Sequence, residues 1–118
     1  MIVYKKFHIE SARSLPNLHD EHPCSQVHGH SFEIILKVNG ELNKKTGFII
    51  DFQEIEDSFN PTLKLLDHAY LNDIKGLENP TSENMCKFIW GKIKPELSGL
   101  VEIEIKETHS TGCIYKGD

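Results

Sequence analysis

Cys24-Ser25-Gln26-Val27-His28-Gly29-His30-Ser31-Phe32-Glu33-Ile34-Ile35-Leu36-Lys37-Val38 is the stretch on which the reading of this chain turns. Its second half is an alternating apolar segment, which predicts a strand from about Ser31 to Gly40. With His28 and His30 at the mouth of that strand, the two-residue repeat points both imidazoles to one face. Two neutral imidazoles on one face make half of a zinc site. Cys24, four residues upstream, reads either as a third ligand or as a reactive thiolate beside the metal.

Upstream, Ile2 to Ala12 reads as a first strand, with Phe7, Ile9 and Ser11 alternating with His8, Glu10 and Ala12. Asn17 to Ser25 is a polar loop carrying His19, His22 and Cys24. Downstream, Asn43 to Gly47 reads as a turn, and Phe48-Ile49-Ile50 as an apolar run continuing the sheet. Asp51, with Glu54 three residues on, predicts a helix N-terminus. That helix shows Phe52, Ile55 and Phe59 on one face and is interrupted at Pro61. After a turn-rich loop from Leu71 to Pro80, Thr81 or Ser82 caps a second helix carrying Met85, Phe88, Ile89, Trp90 and Ile93. Leu100 to Ile105 and Gly112 to Tyr115 read as the last two strands. The order strand, strand, helix, helix, strand, strand predicts an α+β domain: a four-stranded antiparallel sheet with two helices on one face. Such a sheet leaves open edges, so oligomerisation is expected.

The bulk properties narrow the function classes. A chain of 118 residues predicts one domain spanning 1–118. A formal net charge of −5 argues against nucleic-acid binding, which needs basic surface. No apolar run is long enough to span a membrane, and Met1 to Lys6 lacks the apolar core of a signal peptide. Three cysteines without a regular framework point to a reducing cytoplasm.

Other side chains carry chemistry. In Asp67-His68, a carboxylate that bonds one ring nitrogen raises the basicity of the other, provided a turn brings the neighbours together. The dipeptide also reads as a turn cap beside a surface histidine. Glu107, at a predicted strand end, can accept paired hydrogen bonds from an amidine-like ring edge; its alternative is a solvated carboxylate. Cys86 and Cys113 read as structural.

Five ordered segments, CSQVHGHSF (24–32), TGFIIDF (46–52), LDHAYLND (66–73), NPTSEN (79–84) and KETHSTGCIY (106–115), resemble the 6-pyruvoyltetrahydropterin synthase family over nearly the whole chain. The C-x-x-x-H-G-H spacing resembles its bacterial 6-carboxytetrahydropterin branch. The resemblance implies the tunnelling fold (T-fold), with strands assembling into an oligomeric barrel, commonly a homohexamer made from two trimers, and active sites at subunit interfaces. It implies a lyase converting 7,8-dihydroneopterin triphosphate to 6-carboxy-5,6,7,8-tetrahydropterin, acetaldehyde and triphosphate, in queuosine biosynthesis. Carried over motif by motif, Cys24 is the proton-abstracting thiolate, and Asp67 and His68 are the paired proton donor and acceptor. His28 and His30 are zinc ligands, Glu107 anchors the pterin, and Thr81 and Ser82 lie beside it. A pyruvoyl-type activity is the nearest alternative.

One position departs from the pattern. Family members present a third zinc histidine at the end of the first strand, where Ser11-Ala12-Arg13-Ser14-Leu15-Pro16 has Arg13. Arginine is always charged and is no ligand. Three readings stand open: another donor substitutes (His8, His19, His22 or Cys24); the guanidinium replaces the metal and meets the substrate; or the site is degraded to a pterin-binding shell. Enzyme, binding module and structural oligomer remain distinct outcomes, separated by turnover and by pterin affinity.

Overall fold

The computed structural model describes residues 1–118. Strand β1 runs Ile2–Arg13, β2 His28–Asn39, helix α1 Phe52–Leu66, α2 Ser82–Ile93, β3 Leu100–Lys106 and β4 Gly112–Tyr115. Short 3₁₀ turns at Pro23–Ser25 and Leu71–Asp73 punctuate the loops. The strands form one antiparallel sheet in the order β1-β2-β3-β4, as the alternation predicts. No helix is long and apolar enough to cross a membrane.

The β1–β2 ladder fixes the geometry of everything that follows. It pairs Phe7 with Ile34, Ile9 with Phe32, Ser11 with His30 and Arg13 with His28. Directly opposed residues share a face, so these eight side chains form one inward stripe. Phe32, Ile34 and Ile9 are essentially inaccessible and join a core with Ile55, Phe59 and Leu66 of α1 and Met85, Ile89 and Ile93 of α2. Each such side chain contributes about 1.5–3 kcal/mol by leaving water. A one-residue slip would turn the whole stripe, histidines included, to solvent.

Four local expectations are corrected. Phe48-Ile49-Ile50 is a bend rather than a strand, and Phe48 stays exposed. Pro61 does not interrupt α1, which runs through it. Asp57, the residue whose carbonyl loses its partner there, lies on the exposed side of the helix, where a missing partner costs least. Phe52 does not share the buried face of Ile55 and Phe59 but lies exposed in the first turn. The second strand begins earlier than expected, at His28, which places the His-x-His pair within the ladder rather than at its mouth.

Both helix starts follow the capping rule. Asp51 accepts from the Gln53 amide at 2.9 Å, and Thr81 from the Asn84 amide at 3.1 Å. Thr81 is therefore the cap, and Ser82 is left free to bond elsewhere.

Candidate active site

Most of the residues singled out in the sequence, Cys24 excepted, gather in two clusters at one end of the β1–β2 ladder. The first is interior. Arg13, the last residue of β1, is 2% exposed. A guanidinium removed from water needs partners in good geometry. Nη2 donates to Glu107 Oε1 at 2.8 Å and Nη1 to the Pro80 carbonyl at 3.0 Å, while Nε has no partner. The guanidinium carbon lies 4.9 Å from the centre of the Phe32 ring, within cation–π range. Ser82 Oγ also donates to Glu107 Oε1. Glu107 is presented by a tight β3–β4 turn, in which its amide donates to Thr111 at 3.0 Å. Gly112 is required there, because a Cβ would come within 2.4 Å of the Ile105 carbonyl oxygen. Burial pushes the Glu107 carboxyl up, but the hydrogen bonds from Ser82 and Arg13, with the charge of Arg13, outweigh it and hold the carboxyl below its ordinary range.

The second cluster lies on the free edge of β1. Residues 67–70 run along that edge: the Glu10 amide donates to Asp67 Oδ1 at 2.9 Å, the His68 amide to the Glu10 carbonyl, and the Ala12 amide to the Ala69 carbonyl. His68 adopts φ 56, the left-handed conformation that costs a non-glycine residue about 1–2 kcal/mol. That backbone supplies the turn the dipeptide needs: His68 Nδ1 sits 3.0 Å from Asp67 Oδ2. A carboxylate only accepts, so Nδ1 carries the proton and Nε2 keeps its lone pair. The ring is 79% exposed, so that lone pair is open to a ligand. The Glu10 amide is the main influence holding the Asp67 carboxyl below its usual value; burial works against it, and His68 adds to it. A cleft of about 590 Å³ opens here, bordered by Glu10, His30, Ser31, His68 and Tyr70.

Glu10 and Ser31 are site residues that the sequence reading passed over. Ser31 Oγ donates to Glu10 Oε2 at 2.6 Å, and His8 Nε2 meets Oε1 at 2.6 Å. The signal available was alternation, which places His8 and Glu10 on the face opposite Arg13. Nothing local told that Glu10 would hold the 67–70 segment.

Cys24 stands apart. It lies in the 3₁₀ turn, half-buried, with its amide donating to His22 Nδ1 at 3.1 Å. Its sulfur makes no hydrogen bond within the protomer and does not border the His68 cleft.

A family model described as 6-pyruvoyl tetrahydropterin synthase matches residues 2–118. The chain belongs to the 6-pyruvoyl tetrahydropterin synthase family. Among relatives, a Synechocystis protein named 6-carboxy-5,6,7,8-tetrahydropterin synthase is 38% identical, the match covering 97% of this chain and 92% of that one. A Pyrococcus furiosus dihydroneopterin monophosphate aldolase is 35% identical over 67% of this chain and 66% of its own length. The solved structure of Caenorhabditis elegans 6-pyruvoyl tetrahydropterin synthase superposes with a TM-score of 0.91 at 24% identity, covering 100% of this chain and 96% of that one. That likeness establishes the T-fold for the sheet and helices described above.

The zinc implied by family resemblance meets a mixed donor set. His28 Nδ1 donates to the Gln26 carbonyl at 2.8 Å and His30 Nδ1 to the Ser31 carbonyl at 2.6 Å. Both therefore keep the Nε2 lone pair, and a backbone carbonyl behind the ring is the usual support of a metal histidine. Their ring centres are 6.2 Å apart. The third place is taken by Arg13, turned inward and engaged by Glu107 and Pro80. His8 faces the other side of the sheet on Glu10, and His19 packs on His22 at 5.7 Å in the loop. No three His, Cys, Asp or Glu side chains converge. The residues present do not fit a three-ligand zinc centre.

Proposed function

We propose that the protein is a 6-carboxy-5,6,7,8-tetrahydropterin synthase, converting 7,8-dihydroneopterin triphosphate to 6-carboxytetrahydropterin, acetaldehyde and triphosphate on the queuosine route. The full-length match to a relative of that name carries the reading. The Asp67–His68 pair supports it. A strained backbone holding an uncommitted Nε2 in an open cleft is costly for a scaffold and useful for proton transfer.

In this reading, the Cys24 thiolate withdraws a proton from the substrate side chain. His68, fixed and polarised by Asp67, moves a second proton at Nε2. Glu107 receives the amidine edge of the pterin ring, with Thr81 and Ser82 beside it at the start of α2. No step is assigned to a metal ion, since only His28 and His30 remain to hold one.

Cys24 and His68 do not share a cleft within one protomer, which supports sites completed between subunits. Ile2 and Tyr4 of β1 and Ile114 of β4 are each more than half exposed. Apolar side chains on both outermost strands fit a barrel of subunits, in the hexamer of two trimers the resemblance suggests. Three unpaired thiols suit the cytoplasm.

The test is product analysis with 7,8-dihydroneopterin triphosphate. Acetaldehyde and 6-carboxytetrahydropterin should appear in equal amounts. A 6-pyruvoyl product without acetaldehyde would assign the pyruvoyl activity instead. Release of a hydroxylated aldehyde would assign an aldolase. Pterin binding without any product would leave a binding shell.

A further inference from the structure

Arg13 is the one fully buried charge of the molecule, and the sequence alone does not set its role. Its geometry excludes one of the three readings directly. The guanidinium does not reach toward the cleft: Nη1 and Nη2 are taken by Pro80 and Glu107, and its face lies on Phe32. What it does instead is hold a carboxylate. Glu107 sits just past the end of β3, where a glutamate side chain is free to sample several rotamers. Here two donors from two separate elements, Arg13 of β1 and Ser82 of α2, converge on the same oxygen, Oε1. Two donors occupy both acceptor sites of that oxygen and leave Oε2 as the only uncommitted one. The side chain is 30% exposed, so Oε2 is the part that meets a ligand.

The same arrangement bears on cation binding. His30 stacks on Phe32 at 4.5 Å with planes 18° apart, and Arg13 lies over that same ring. Arg13 therefore fills the inward position beside the histidine pair, with its charge answered by Glu107. A divalent cation at the two Nε2 atoms would lack a third ligand.

We propose that Arg13 is a positioning residue: standing where the third metal donor would be, it clamps Glu107 through Oε1 and presents Oε2 to the amino-substituted ring edge of the substrate, so that pterin affinity rests on Arg13 and needs no metal ion. The proposal rests on the pterin reading given above. It differs from that reading in making affinity, rather than turnover, the property that Arg13 controls.

The experiment measures 7,8-dihydroneopterin binding, together with KM and kcat, for the intact assembly before and after EDTA and with zinc added back. Arg13→Met should weaken binding and raise KM by about 10- to 100-fold, the worth of a charge-assisted hydrogen bond, with kcat changed far less. Arg13→Lys, which restores one donor and the charge, should recover most of the affinity. Ser82→Ala, which keeps the buried ion pair and is the variant least able to disturb folding, should weaken binding by a smaller factor of about 3 to 10. EDTA should leave the affinity of the unmodified protein unchanged. Arg13→His should gain zinc by metal analysis while losing affinity. Affinity that vanishes with EDTA and returns with zinc, or that survives in Arg13→Met while Glu107→Gln abolishes it, would overturn the inference and leave the pterin reading intact. Absence of pterin binding by the unmodified protein in every metal condition would overturn both.

Discussion

The two clusters at the end of the β1–β2 ladder are built from the same kinds of group and end in opposite states. In the interior, a guanidinium, a carboxylate and a hydroxyl satisfy one another, and Arg13 is sealed from water. On the β1 edge, a carboxylate and an imidazole are joined just as directly, yet the imidazole stands open with one nitrogen uncommitted. The first arrangement spends most of its polar groups on one another, leaves Glu107 Oε2 to meet a ligand, and can only hold. The second leaves a lone pair over and can react. Burial decides the difference: a charge in the core must be paired or it destabilises the fold, whereas an exposed pair gains little stability and is free to act.

Five substitutions or conditions test that division, from the largest effect down. Cys24→Ala should lower acetaldehyde formation by about 10²- to 10⁴-fold in a steady-state assay, the usual worth of a proton-transfer group. Its melting temperature should stay near that of the parent, since the sulfur holds nothing in place. Glu107→Ala strands a buried guanidinium and should cost about 2–4 kcal/mol in urea unfolding, somewhat less than for a wholly buried pair because the carboxylate is partly solvated. Glu10→Ala, equally charged but exposed, should cost far less in the same measurement, beyond any loosening of residues 67–70. If the two cost the same, the interior pair is not structural.

His68→Gly removes the left-handed strain and should stabilise the fold by up to about 1 kcal/mol while abolishing most turnover. Loss of stability instead would mean that the imidazole holds the segment rather than serving it. The smallest effect is on the acid side. Because the folded Glu107 carboxyl lies below its ordinary value, its contribution is complete above about pH 4.3 and fades as pH falls through the folded value. Glu107→Gln should therefore flatten the acid limb of the stability profile below about pH 4 and leave the neutral region parallel to the parent.

The sheet was legible in the sequence because its signal is local. Alternation from Phe7 to Ile9 and from Phe32 to Val38 sets the inward stripe, and Asp51 and Thr81 mark the helix starts by side-chain capping. What escaped was non-local. Pro61 continues its helix because the residue whose carbonyl it orphans, Asp57, is on the exposed side, which no local pattern reveals. Phe48 to Ile50 has the composition of a strand but no partner strand to bond. At the site, the Asp67–His68 pairing was readable as a dipeptide that needs a turn, and the left-handed His68 supplies it. The Arg13–Glu107 bond, spanning 94 residues, was not readable. The sequence shows that Arg13 cannot be a ligand, but only the fold shows what it holds instead. Glu10 escaped for the same reason, since it acts largely through its backbone on a segment far along the chain.

The most direct test of this division of labour is one kinetic comparison with 7,8-dihydroneopterin triphosphate, with His68→Ala and Arg13→Met measured side by side. The edge variant should lose kcat by at least about 10²-fold at nearly unchanged KM, and the interior variant should raise KM by about 10-fold or more while keeping most of its kcat. Equal proportional losses of kcat in both variants, or the reverse pattern, would contradict it.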